Sequence, residues 1–172
     1  ENPSKQLAVN FQAAEKLGDI DAIVNVTEDN PRKATLAVDN AGSRSTGANR
    51  LSLSFQDANL LNLDHSLTLQ YGTSIDRPRS SQQLSGGYRI PLYASGLSVD
   101  LIGSYSESSA TTQVGFGNTI FNGKGNMLGV RLNHALPASG PLRHRLVYGL
   151  DYKDFDNNCT GVNAGTCGTV TA

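Results

Sequence analysis

Cys159 and Cys167 sit together in the polar, glycine-bearing segment DNNCTGVNAGTCGT, and two thiols in such a stretch have three chemical uses. They can ligate a metal, stay reactive, or close a disulfide. A metal site needs more ligands than two cysteines, and no histidine or carboxylate cluster lies close by in sequence. Two exposed thiols in one loop are an oxidation liability, so a Cys159–Cys167 disulfide is the expected pairing, which implies an oxidising compartment. GFGNTIFNG, from Gly115, has two glycines of a phosphate-cradling loop. It lacks the third at the required spacing, and no strand-to-helix transition surrounds it.

Nothing else assembles into a reaction centre. Of the histidines, His65 and His134 fall on apolar strand faces near strand ends, and His144 has arginines on both sides. No Ser–His–Asp or Cys–His set is visible, and no paired carboxylates recur at matching positions, so no enzyme, metal or cofactor is expected. The remaining chemistry is charge. Arg50, Arg89, Asp100, Arg131, Arg145, Asp151 and Lys153 occur singly, and a net charge of −1 gives no electrostatic footprint for nucleic acid.

Those charges recur on one side of an alternating pattern. Leu128, Val130, Leu132, His134 and Leu136 alternate with Gly129, Arg131, Asn133 and Ala135. After the break at Pro137 to Pro141, Leu146, Tyr148, Leu150 and Tyr152 alternate with Arg145, Val147, Gly149, Asp151 and Lys153. Successive side chains of a strand point to opposite faces, so each segment is a two-faced strand. The same pattern occurs at Ala34 to Val38, Leu51 to Phe55, Leu67 to Tyr71, Leu84 to Ile90 and Leu97 to Tyr105, which makes about seven strands. Composition agrees: 38 % hydrophobic and 17 % charged, with 18 glycines among many Ser, Thr, Asn and Gln, suits strands and turns better than helices.

No run approaches the apolar length of a membrane helix, but alternating strands leave only a weak hydropathy signal. The connections are expected to alternate in length. DANLLNLD, YASG and PASGP are short, whereas NAGSRSTGAN, GTSIDRPRSSQ, the run from Ser106 to Asn126 and the segment from Asp156 are longer and polar. Short turns at one end with long loops at the other, and segments near the roughly 9–11 residues that cross a bilayer, describe a transmembrane β-barrel. Tyr71, Tyr88, Tyr93, Tyr105, Tyr148 and Tyr152 are expected near strand ends, at the interfaces. Leu51, Leu53, Leu67, Leu69, Leu97, Leu101, Leu128, Leu132, Leu146 and Leu150 would face lipid, and the seven scattered charges would line a lumen.

Residues 1 to 30 differ. Leu7, Val9 and Phe11, then Ile20, Ala22, Val24 and Val26, form short strands of ordinary length before the linker Glu28-Asp29-Asn30-Pro31, with Leu7, Val9, Phe11, Ile20 and Val24 expected to form a small core. Glu1 to Lys5 is not a signal peptide, and the chain reads as a fragment.

The stretch from Gly18 to Ser74 resembles the junction of two-partner secretion transporters, the TpsB or haemolysin-activator family within the Omp85 superfamily. There a last periplasmic POTRA domain gives way to a barrel that opens with LxxDNxGxxxTGxxR, matched by Leu36, Asp39, Asn40, Gly42, Thr46, Gly47 and Arg50. ANLLNLDHSLTLQY and GYRIPLY are similar to the family's next turn and strands. The resemblance implies an all-β chain: residues 1–30 as the C-terminal part of a POTRA domain, and 31–172 as the N-terminal part of an antiparallel outer-membrane β-barrel with a cysteine loop at 156–172.

It also implies export of a large secreted partner, an adhesin, cytolysin or toxin, captured through its N-terminal secretion domain. Outer-membrane lipid would surround the barrel, the N-terminal strands would lie in the periplasm, and no cofactor would be used. The family's inward loop with its arginine motif lies beyond residue 172, so its roles transfer to no position here. Three alternatives stay open: another Omp85-type assembly protein, a porin-like channel, and a soluble β-rich adhesion domain.

Overall fold

The structure, a computed structural model, describes residues 4–13, 20–114, 117–137, 140 and 142–161. The described residues form nine strands in two antiparallel sheets. β1 (Lys5–Ala13) and β2 (Ile20–Glu28) pair with each other alone. β3 (Arg32–Asp39), β4 (Arg50–Leu60), β5 (His65–Ser74), β6 (Ser81–Leu92), β7 (Leu97–Val114), β8 (Gly117–Ala135) and β9 (Arg145–Gly161) follow as a seven-stranded meander in chain order. Every neighbouring pair is consecutive, the connectivity that short hairpin turns between two-faced strands impose.

The register joins the alternating residues into faces. Leu36, Leu53, Tyr71, Leu84 and Tyr105 stand directly opposite one another across β3 to β7. Leu67, Tyr88, Leu101, Val130 and Leu150 do the same across β5 to β9. Among the described residues no hydrophobic side chain is buried; Leu128 is 63 % and Leu150 78 % exposed. The sheet therefore carries a continuous leucine face and no packed core.

At one end of this sheet the chain turns through 61–64 and 93–96, and at the other through 40–49 and 75–80. The β4–β5 turn is tight, with Leu61, Asn62 and Asp64 all at φ near +60°. The Asn59 carboxamide oxygen accepts the Asp64 N–H at 2.9 Å and clamps it. Between β6 and β7 a single 3₁₀ turn, Tyr93–Ser95, ends on Gly96 at φ +64°.

Two expectations about loops fail. The run from Ser106 to Asn126 is not a loop: β7 and β8 continue through it as a paired ladder from Ser106↔Gly125 to Val114↔Gly117. The cysteine loop does not begin at Asp156 either, because β9 pairs with β8 as far as Gly161. Thr, Ser and Asn on both faces look like loop composition, yet β-branched Thr and cross-strand polar pairs such as Ser109 Oγ to Asn122 Oδ1, 2.6 Å, support paired strands here, with β9 running beside β8 from Thr119 onward. The asymmetry between the two ends thus comes from extended strands as well as from loop length.

The expected core of β1–β2 is a correction as well. Leu7, Val9, Phe11, Ile20 and Val24 share one face of the ribbon with Val26, but Phe11 is 73 % exposed and the others are open too. A two-stranded ribbon has no second layer to cover an apolar face. The Asp29 N–H donates to the Ser4 carbonyl at 2.9 Å, and Lys5 reaches Asp64 in the β4–β5 turn at 3.1 Å, tying the ribbon to the short-turn end of the larger sheet.

Candidate functional site

The functional feature is a wall with two chemically different sides. On the leucine face lie all ten residues expected to meet lipid: Leu51, Leu53, Leu67, Leu69, Leu97, Leu101, Leu128, Leu132, Leu146 and Leu150. Along β7 this face carries Leu97, Val99, Leu101, Gly103 and Tyr105 before it meets Glu107. That apolar run is about 26 Å long at the usual strand rise. Beyond it, Glu107 pairs with Lys124 at 3.2 Å and the Tyr105 hydroxyl donates to Glu107 at 2.6 Å, so the band ends in a polar rim. Towards the short-turn end Arg32 binds Asp57 at 3.1 Å, and the Tyr88 hydroxyl lies 2.5 Å from His65 Nδ1. Tyr88 stands within β6 and not at its end, but its hydroxyl reaches the first residue of β5.

Arg50, Arg89, Asp100, Arg131, Arg145, Asp151 and Lys153 all occupy the opposite, arginine face. Four of them pair. Arg89 grips Asp100 with two hydrogen bonds of 2.6 and 2.8 Å, and Asn133 donates to the same carboxylate at 2.9 Å. One register step away Arg131 grips Asp151 with bonds of 2.5 and 2.8 Å. The guanidinium fork matches a carboxylate in two places at once, which fixes both side chains flat along the wall. Gly149 makes room for this, because a Cβ there would stand 2.8 Å from Arg131 Cδ. The charge spacing was visible in the sequence; the pairing depended on register, and Arg89↔Asp100 follows once the turn is fixed at 93–96.

Cys159 lies in β9 opposite Phe121, and no free cysteine occurs among the described residues. Cys167 lies outside them. Among the described residues no group of His, Cys, Asp and Glu could hold a metal ion.

A family model described as haemolysin secretion/activation protein ShlB/FhaC/HecB matches residues 18–164. The chain belongs to this family. The ShlB/FhaC/HecB proteins are two-partner secretion transporters of the outer membrane, so the resemblance read from the sequence holds. Among solved structures the chain is similar to CdiB from Escherichia coli, with a TM-score of 0.72 and 22 % identity over 89 % of this chain. At that identity the likeness concerns the fold, and the chain spans 28 % of the CdiB chain. No curated protein matches it.

Within this ShlB/FhaC/HecB-type wall, four of the motif residues that carried the resemblance, Asp39, Gly42, Thr46 and Gly47, build a loop lock at the long-loop end. Asp39 Oδ1 accepts the Ala41 N–H at 2.9 Å, the Gly42 N–H donates to the Ala48 carbonyl at 3.0 Å, and Thr46 Oγ1 lies 2.7 Å from Ser43 Oγ. Gly47, at φ +104°, lies against Ser74: a Cβ there would fall 1.8 Å from the Ser74 hydroxyl, which is almost fully buried. Asp76, absent from the motif, closes the lock by accepting the Ala48 and Asn49 N–H groups at 2.9 Å each and the Asn49 carboxamide at 3.0 Å. The Asn49 hydrogen bonds hold the Asp76 carboxyl below its ordinary 3.8. At the opposite end the Tyr93 hydroxyl donates to Asp64, whose carboxylate pushes the tyrosine up to about 12.

Proposed function

We propose that this chain forms the first strands of an outer-membrane pore that exports a large partner protein by two-partner secretion. The observation that carries the reading is the two-sided wall in a chain of this family: a continuous leucine face with no protein layer over it, and an arginine face of paired charges. In water so large an exposed apolar face has no stable place, whereas a bilayer covers it at no cost in conformational order. The leucine face meets lipid and the arginine face borders the lumen.

The short turns then lie in the periplasm and the β7–β8 extension outside. Residues 1–30 are the C-terminal part of a POTRA domain. The exposed apolar face of β1–β2 is the face that domain would cover, and its free edges suit capture of an extended partner segment by strand addition. Cys159 pairs with Cys167 beyond the outer rim. Because Arg89 neutralises Asp100 and Arg131 neutralises Asp151, a passing chain slides along a wall whose closest charges are paired; of the seven, Arg50, Arg145 and Lys153 stand outside these two ion pairs and can touch it.

Export is tested with the full-length transporter and the protein encoded beside it, both expressed in an outer-membrane host lacking them. The partner appears in the medium only when the transporter is present. A partner that stays periplasmic with a folded transporter in the outer membrane contradicts the export reading.

A further inference from the structure

The leucine face is not uniform. Gly86 on β6 and Gly103 on β7 stand directly opposite each other in a row that otherwise carries large side chains. With no Cβ on either, the backbone there forms the floor of a trough of about 630 Å³. Its walls are Leu69, Leu84, Leu101 and Leu128, with Tyr88 and Tyr105 at its two ends. Leu69 and Leu128 lean over the floor from either side, their Cδ2 atoms 3.1 and 3.5 Å from where a Cβ of Gly86 or Gly103 would stand. Ligand sites commonly have this size and this apolar lining. All four strands involved, β5 to β8, lie inside the sheet, so the trough is complete whatever borders β3 and β9.

From this geometry we propose that the Gly86–Gly103 trough is a site for one acyl chain of a bilayer lipid, held in a fixed position against the wall. The inference rests on the membrane reading above and adds an occupant to it. The trough opens onto the face that the membrane reading places in hydrocarbon, so a group from that layer fills it and gains dispersion contacts with its walls. A polypeptide filling it would bring backbone N–H and C=O groups into the hydrocarbon layer, and the leucine walls offer them no partner. An acyl chain brings none. Asn126, opposite Tyr105 at the mouth on the long-loop side, provides a carboxamide donor where the chain's ester carbonyl would emerge, the Tyr105 hydroxyl being given to Glu107. The trough lies one row below that mouth, in the half of the band nearer the outer surface.

The test is photolabelling. Full-length transporter is reconstituted in phosphatidylethanolamine and phosphatidylglycerol vesicles doped with a phosphatidylcholine that carries a mid-chain diazirine, irradiated, digested and sequenced by mass spectrometry. The expected result is several-fold more label on residues 84–88 and 101–105 than on 51–55 or 146–150. In Gly103→Leu, whose new Cβ has only an ordinary contact to make, that excess disappears while the other segments label as before. Leu128→Ala, which removes one wall, also reduces the excess and provides a second variant if Gly103→Leu does not fold. Even labelling along the leucine face, or an excess unchanged in both folded variants, overturns the trough. No label on 51–55 or 146–150 overturns the membrane reading itself.

Discussion

At the residue scale, the two sides of the wall make opposite demands on a substitution. Leu101 stands mid-row on the leucine face, whereas Ser104, on the same strand, faces the arginine side. Leu101→Arg in the full-length protein should lower stability by about 2–4 kcal/mol, the cost of a cation at the bilayer midplane. Ser104→Lys should change it little, since that side chain meets water. Urea titration of the vesicle-folded protein measures both, and equal losses would contradict the assignment of faces. The Arg89–Asp100 pair predicts something milder. Its guanidinium is about half exposed, so screening is strong, and Arg89→Ala should cost under about 1 kcal/mol, less at high salt.

At the element scale, much was legible in the sequence, and what was not has physical causes. Alternation in Leu51 to Phe55, Leu67 to Tyr71 and Leu128 to Leu136 gave the strands, because a period of two has one structural meaning. All seven strands of the sheet pair as that pattern requires. The ladder from Ser106 to Asn126 escaped because its strands are largely polar on both faces and so lose the alternation. The loop lock escaped in part: Gly47 was in the motif, but Ser74 and Asp76 join it only through three-dimensional closeness.

The lock makes two predictions. Gly47→Ala forces a side chain into both a left-handed backbone and the Ser74 hydroxyl, and should cost at least about 1–3 kcal/mol, read as lowered thermal stability of the folded barrel. For Asp76 the folded-state pKa lies below 3.8, so its contribution is fully present above that value and is lost as pH falls through the folded-state pKa. Amide exchange at Ala48 and Asn49 should therefore be slow, relative to the intrinsic rate, near neutral pH and accelerate under strong acid. In Asp76→Asn this pH-dependent change in protection should vanish.

At the scale of the whole molecule, a seven-stranded meander without a buried hydrophobic side chain among its described residues has to find its apolar environment elsewhere. Family membership names the setting, an outer-membrane transporter, and the register gives one sheet a leucine face and an arginine face, which the proposed reading assigns to lipid and to a polar passage. The central claim is that this separation follows the leucine and arginine faces residue by residue. The most direct measurement is single-cysteine labelling along β7 from Leu97 to Tyr105 in the full-length protein in membranes, with a lipid-phase spin label and an aqueous relaxing agent. Oxygen should relax labels at 97, 99, 101, 103 and 105, and a water-soluble nickel chelate those at 98, 100, 102 and 104, alternating at every step. A strand whose labels all respond to the aqueous agent, or show no alternation, would contradict the account.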